Sequence, residues 1–247
     1  MAKKPERPKF ISFKGAFKFP KLSEPDFGTD EYPKPDGEFS LKLVGQADAA
    51  DVKKMIAELA PLHAAAVEKG KKLFKELPIA TRKKLGELKV NPLFTEVYDK
   101  ETEEPTGEIE FKFAMKHSGE YKKGPKAGKR WTRKPDIFDA KGNKMNPAPQ
   151  IWGGTIGRVA FEIGTDQDGD PGYFIKGTGA AGLKLGLNAA RILDLVSGGS
   201  REASDYGFDD EEDGYEYDPE SVKSEDDANE KGDNTSKTDA SDDNPDF

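Results

Sequence analysis

The chain has 247 residues, with 39 Lys and Arg, 47 Asp and Glu, two histidines and no cysteine. Disulfides and thiolate metal sites are therefore excluded, and two histidines are too few for an imidazole metal cluster. No stretch is apolar for long enough to cross a membrane, and no signal-type apolar core follows the first residues. We therefore expect a soluble protein of the cytoplasm that needs no metal or other cofactor.

The charge is divided unevenly along the chain. From Arg201 onward, 19 acidic residues face four basic ones, a net charge of −15, whereas residues 1–200 carry 28 acidic and 35 basic residues, a net charge of +7. The last part also has too few apolar residues to build a core. We predict one domain over residues 1–200 and a disordered acidic tail over 201–247. A basic domain with an acidic tail suggests a protein that binds a polyanion, such as nucleic acid, and carries its own competitor.

Several runs of the domain alternate apolar and polar residues, which indicates half-buried antiparallel strands. In chain order, their apolar positions are Ile11, Phe13, Phe17 and Phe19; Phe39, Leu41 and Leu43; Ile109, Phe111, Phe113 and Met115; Val159, Phe161 and Ile163; and Leu183, Leu185, Leu187, Ala189, Leu193 and Leu195. Gly186 inside the last run favours a bulged or bent strand over a helix.

One segment has helical spacing instead, and it predicts an inserted helix over about 48–77. Asp48 is the expected N-cap, and Pro61 is expected to kink or split the helix. Five or more short strands, one inserted helix and long loops are typical of a small closed antiparallel barrel, of which the OB-fold is the commonest. Another β-barrel or a β-sandwich remains an alternative.

The strongest local signal is the segment 116–134, which holds eight basic residues against Glu120 alone. Cations attract phosphates and aromatic rings stack on unpaired bases, a combination that single-strand binders use. The candidate DNA-binding residues of this segment are Lys116, Tyr121, Lys122, Lys123, Lys126, Lys129, Arg130, Trp131, Arg133 and Lys134. The alternative is a solvated loop with Trp131 in the core.

Six further residues are candidates for the same surface. The outward lysines of the predicted strands, Lys14, Lys18, Lys42 and Lys112, would extend it across the barrel. Strand lysines also protect sheet edges against aggregation, which is the alternative for each of them. Trp152 and Arg158 complete the set; for Trp152, core packing is the alternative.

Three motifs suggest other chemistry but do not meet its requirements. The glycines at 177, 179 and 182 spell a dinucleotide-binding motif, yet too little chain follows to build that fold, so we predict a turn. Asp166, Asp168 and Asp170 begin like a calcium loop, but Pro171 stands where glycine is required. The segment 124–130 is one residue short of a P-loop. With no nucleophile–base pair evident, we predict a binding protein rather than an enzyme; a magnesium-dependent nuclease remains an alternative.

The acidic tail ends in an aromatic residue behind carboxylates. A terminal ring can anchor in a basic, partly apolar pocket while the carboxylates steer the encounter. We predict that Asp242, Asp243, Asp246 and Phe247 bind a protein partner. The alternative is a solubilising appendage.

A succession of short motifs resembles one known family, the single-stranded DNA-binding proteins of podoviruses that have their own replisomes. The motifs are Met1-Ala-Lys-Lys, Phe111-Lys-Phe113, the segment 139–145, Gly153-Gly154, a last strand over 184–196 followed by Gly198-Gly199, and the terminal Asp246-Phe247. The resemblance implies an OB-fold with an added helix and the binding and annealing of single-stranded DNA. It also implies homodimers and a tail that contacts the phage DNA polymerase and primase-helicase.

These observations favour a phage replication and recombination protein that coats single strands without sequence preference in the host cytoplasm. Its tail would compete with DNA and recruit replication proteins. The alternative is an acidic-tailed chaperone or adaptor that binds basic proteins and has little affinity for DNA.

Overall fold

The computed structural model of the protein describes residues 9–166 and 168–196. Within these ranges the first seven elements are β1 (Lys9–Ile11), β2 (Gly15–Gly28), β3 (Pro33–Gln46), α1 (Ala50–Glu76), α2 (Ile79–Leu85), β4 (Lys89–Val90) and β5 (Thr95–Tyr98). The remaining elements are β6 (Pro105–Lys116), β7 (Ser118–Glu120), β8 (Arg130–Thr132), β9 (Asp136–Phe138), β10 (Ile156–Ile163), β11 (Tyr173–Ile175), β12 (Ala180–Gly182) and β13 (Leu185–Asp194).

Five of the strands close into a barrel in the order β2-β3-β6-β13-β10, and β10 pairs again with β2. All neighbours are antiparallel except β6 and β13, which run parallel. This is the five-stranded architecture of the OB-fold. The predicted fold class, a mainly β protein with an OB-like closed barrel, is confirmed.

The barrel interior is filled by the inward residues of the strands. Phe39, Leu41 and Leu43 of β3 are buried, and they lie opposite Met115, Phe113 and Phe111 of β6. Phe113 also packs edge-on against Phe161 of β10, with ring centroids 4.9 Å apart. The alternation predicted for β3, β6 and β10 is therefore confirmed, because one face of each strand is buried and the other points away from the core.

In the first and last strands, by contrast, the predicted alternation is wrong in part. Ile11 and Phe19 are 73% and 70% exposed instead of buried. An extra residue enters β2 after Lys18, where Phe19 adopts a φ of 50°, and this bulge turns Phe19 outward. A similar shift in β13 after Leu187 makes Ala190 and Ile192 the buried residues, and it leaves Leu195 exposed.

Helix α1 links the barrel to a smaller unit of structure. Val52, Met55 and Leu59 near its start join the barrel core. Further along, Gly70 lies against Ala181 of β12, within a three-stranded sheet of β11, β12 and β4. The helix begins after Ala49, which makes no side-chain capping bond, so the predicted cap by Asp48 is wrong. It also continues through Pro61 without a split, since buried residues on both sides of Pro61 hold it in place. No described helix is long and apolar enough to cross a membrane.

Candidate nucleic-acid interface

Antiparallel pairing places three of the predicted lysines in one row on the outside of the barrel. Lys18 of β2 lies opposite Lys42 of β3, and Lys42 lies opposite Lys112 of β6. We call these three residues the cation row. The sequence suggested each lysine separately, and the register of the three strands brings them together.

A carboxylate is embedded in the cation row. Glu110 of β6 is 8% exposed and accepts hydrogen bonds from Lys42 and, at 3.0 Å, from Lys18. Burial opposes ionisation of Glu110, but the hydrogen bonds from the two lysines outweigh it and hold the pKa of Glu110 below its usual value. The carboxylate therefore stays charged and neutralises part of the row.

The same pairing of cation with carboxylate continues along β3 and β6. The ammonium of Lys34 lies 2.6 Å from Asp26 and 3.3 Å from Glu38, and Lys112 lies 3.9 Å from Glu38. Beyond them, Asp36 lies 2.5 Å from Lys116, whose hydrogen bond lowers the pKa of Asp36. The guanidinium of Arg130 lies 3.8 Å from the same carboxylate. The outer face of these strands thus carries cations that are fixed in place but partly neutralised.

From the end of β6 the surface extends onto the two-stranded sheet of β7 and β8, which we call the basic hairpin (residues 118–132). Trp131 of β8 lies across Gly119 of β7, where a Cβ atom would come within 2.6 Å of the indole ring. Arg133 stacks on the same ring, with its guanidinium carbon 5.1 Å from the ring centroid. Trp131 is half-buried. The indole ring of Trp131 therefore packs against Gly119 and has the guanidinium of Arg133 over it.

The turn of the basic hairpin is fully exposed. Gly124 and Gly128 have positive φ there, and Lys126 lies 5.8 Å from the ring centroid of Tyr121. The remaining predicted lysines of this turn are Lys122, Lys123 and Lys129, which are all exposed. The segment that resembled a P-loop is thus the turn of a hairpin.

Some predicted residues lie outside the strands that carry the cation row. Arg158 of β10 lies opposite Arg191 in the register with β13, and its guanidinium donates to the carbonyl of Ser12 at 2.9 Å. Lys14 is exposed between β1 and β2, and Lys134 is exposed after β8. Trp152 is half exposed before β10, where its backbone N–H donates to the carbonyl of Val196. Asp242, Asp243, Asp246 and Phe247 lie outside the described residues.

Other exposed groups near this face were missed by the sequence analysis. Phe19 beside Lys18, and Phe27 and Tyr32 at the far end of the β2–β3 hairpin, are 70%, 56% and 76% exposed. Phe27 and Tyr32 lie in a stretch for which the sequence analysis predicted neither a strand nor a helix. Aromatic residues inside such a glycine- and proline-rich connection are the signal that could have identified them. Glu110 was missed as well, because only the register brings it to the two lysines.

The acidic loop before β11 does contain a group of carboxylates. Single oxygen atoms of Asp166, Asp168 and Asp170 lie within 4.8 Å of one another. The ammonium of Lys69 lies among them, at 2.5, 3.0 and 2.7 Å respectively. Its hydrogen bond lowers the pKa of Asp166. A cation of the protein therefore already occupies the place that a metal ion would take.

The comparisons with known proteins agree with this geometry. The family model described as "Single-stranded DNA-binding protein, Bacteriophage T7" matches residues 15–195, the stretch that builds the barrel, the inserted helix and the basic hairpin. The chain belongs to this family. Members of the family bind single-stranded DNA and are not enzymes, as the sequence analysis predicted, so the nuclease alternative is dropped.

The crystal structure of a phage protein shows the same fold. The crystal structure of gp2.5, a single-stranded DNA-binding protein encoded by bacteriophage T7, is similar with a TM-score of 0.57 and 21% identity, over 86% of this chain and 100% of that one. The single-stranded DNA-binding protein of bacteriophage Enc34, solved in complex with single-stranded DNA, matches with a TM-score of 0.42 and 13% identity, over 76% of this chain and 88% of that one. No curated protein sequence matches significantly.

Proposed function

We propose that this protein of the phage single-stranded DNA-binding family coats exposed single strands during phage DNA replication, recombination and repair, without sequence preference. OB-folds bind oligonucleotides on the face of their second and third strands. In this barrel those strands are β3 and β6, which carry Lys42, Lys112 and Lys116. The alignment of Lys42 and Lys112 with Lys18 is the observation that carries the proposal. The host cytoplasm is the place where such a protein would act.

The proposed contacts are of two kinds. The cation row and the lysines of the basic hairpin follow the phosphates, while Trp131 and Tyr121 stack on bases at about 1–3 kcal/mol each. If about five phosphates are neutralised, the logarithm of affinity falls with the logarithm of salt concentration at a slope near −3.5. Neither kind of contact reads base identity, so the protein would bind any sequence.

The acidic tail is proposed to regulate this binding and to recruit partners. It carries a net charge of −15 over residues 201–247. Covalent attachment to the domain gives such a segment an effective concentration in the millimolar range, on the order needed to compete with weak DNA contacts. The terminal carboxylates with Phe247 are then proposed to contact the phage DNA polymerase and primase-helicase. Annealing of complementary strands and homodimer formation are further parts of the proposal, and the family resemblance supports them.

Tryptophan fluorescence tests the proposal directly. Full-length protein and a 1–204 truncation are titrated with oligo-dT and with duplex DNA at two salt concentrations. We expect salt-sensitive quenching by the single strand, with tighter binding by the truncation. Equal affinity of the two proteins at low salt would contradict competition by the tail. No binding by either would contradict the DNA-binding function and favour the alternative, in which the tail binds basic proteins.

A further inference from the structure

A second group of cations surrounds a junction far along the chain from the cation row. The end of α1, the end of α2, β4 and the turn between β11 and β12 meet at Gly179. A Cβ atom on Gly179 would lie 3.1 Å from the ring of Phe74 and 3.5 Å from Leu85. The N–H of Lys89 donates to the carbonyl of Gly179 at 2.9 Å. These contacts fix four separate segments beside one another.

The lysines at this junction differ from those of the cation row. Lys83 and Lys84 of α2, Lys89 of β4 and Lys176 of the turn are all exposed. Over the described ranges 9–166 and 168–196, none of the four has a carboxylate within ion-pair distance, whereas every lysine of the cation row has one. Among the described residues, the positive charge here is therefore not neutralised by ion pairs.

The three-stranded sheet that carries Lys89 is partly apolar. Ile175 of β11, Ala180 of β12 and Lys89 of β4 lie side by side across the three-stranded sheet, and Ile175 is 48% exposed. In the next row, Tyr173 lies opposite Gly182, and its hydroxyl accepts a hydrogen bond of 2.5 Å from Asn91. The other face of the sheet packs on α1 through Ala181, whereas Ile175 and Lys89 are exposed on this face. We call it the insertion surface: Lys83, Lys84, Lys89, Lys176, Ile175 and Tyr173.

We propose that the insertion surface binds the phosphate backbone of a second single strand of DNA while the cation row and the basic hairpin hold the first. This inference rests on the proposed function. Unpaired lysines are hydrated point charges that suit phosphates without regard to sequence, and a sheet face with an aromatic and an aliphatic side chain suits unstacked bases. A protein that holds two strands raises their effective concentration for each other. The insertion surface would thereby promote annealing without any catalytic group.

The test uses two oligo-dT molecules, one labelled with a fluorescence donor and one with an acceptor, which cannot pair with each other. Full-length protein should bring them into one complex and produce energy transfer. The variant with glutamine at Lys83, Lys84, Lys89 and Lys176 should need at least about fivefold more protein for the same transfer, with its affinity for a single oligo-dT changed by less than about twofold. A control variant of equal charge carries glutamine at the exposed Lys53, Lys54, Lys100 and Lys141 and should behave like the unaltered protein.

Three results would overturn the inference. Undiminished energy transfer in the variant would mean that copies of the first site bridge the strands. A loss of affinity for a single oligo-dT as large as the loss of energy transfer would place these lysines in the first site. If the variant lost affinity only for duplex DNA, titrated in parallel, the ligand of the insertion surface would be duplex DNA. If the unaltered protein binds no oligo-dT at all, the proposed function itself fails, which is a separate and distinguishable outcome.

Discussion

The carboxylate of Glu110 lies 3.0 Å from the ammonium of Lys18, in the middle of the face that we propose for DNA. Lys42 binds the same carboxylate from the neighbouring strand. An acid at such a place fixes two long side chains and also lowers the positive potential that DNA meets. Both effects can be separated by substitution.

Replacing Glu110 with glutamine keeps the shape of the side chain and removes its charge. We expect Glu110→Gln to bind oligo-dT more tightly at low salt, because Lys18 and Lys42 become available to phosphates. The salt slope should steepen by about 0.7 for each additional phosphate contact. Fluorescence titration over a range of salt concentrations measures both quantities. Glu108→Gln on the same strand is the matched control, and an equal gain in both variants would show a general charge effect instead.

The lowered pKa of Glu110 predicts how stability depends on pH. The unfolded carboxyl takes up a proton near its ordinary pKa of 4.5, whereas the folded one resists protonation to a lower pH. The contribution of Glu110 to the free energy of unfolding is therefore present above pH 4.5, and it is lost as the pH falls through the folded pKa of Glu110. We expect the melting temperatures of the unaltered protein and of Glu110→Gln to differ at pH 7. They should converge as the pH falls below 4.5 and through the folded pKa of Glu110. A constant difference down to pH 3 would contradict the assignment.

The turn of the basic hairpin offers a test of the phosphate contacts. Glutamine at Lys122, Lys123, Lys126 and Lys129 should weaken oligo-dT binding and make the salt slope shallower by about 0.7 for each lysine that contacts a phosphate. These side chains are exposed, so folding should be unaffected. The four-lysine control at positions 53, 54, 100 and 141 has the same net charge. An unchanged slope in the hairpin variant would show that this turn is only a solvated loop.

Lys69 holds the acidic loop, and its removal should loosen that loop. In Lys69→Gln the three carboxylates of Asp166, Asp168 and Asp170 lose their shared cation and repel one another. We expect faster amide hydrogen exchange over residues 165–171, and we expect added calcium to restore protection because it replaces the missing charge. Lys71→Gln, which removes a surface pair with Glu68 on the same helix, is the control. Unchanged exchange would show that the loop is held by its remaining hydrogen bonds, such as those from the N–H groups of Asp168 and Asp170 to the carboxylate of Asp166.

The sequence predicted the parts of this fold that depend on local pattern. Phe39, Leu41 and Leu43 alternate with polar residues, so their burial follows from strand geometry. Phe19 could not be placed, since its orientation depends on a bulge whose partner residues lie on another strand. Glu110 and Lys18 are far apart in sequence, and only the closed register of β2, β3 and β6 joins them. The candidate surface was therefore predictable as a set of charges but not as an arrangement of paired charges.

The parallel pair of β6 and β13, which we call the seam of the barrel, bears on the order of folding. Only two residue pairs join β6 to β13, Phe113 with Leu185 and Ala114 with Gly186, whereas nine pairs join β3 to β6. Strands β2 and β3 follow one another in the chain, whereas the connection from β3 to β6 contains both helices, β4 and β5. Closing β6 on β13 brings together segments separated by a connection of similar length, and it gains far fewer residue pairs for a similar cost in loop entropy. The ring should therefore close last, with amide protection in β3 preceding that in β13 during refolding; simultaneous protection would contradict this order.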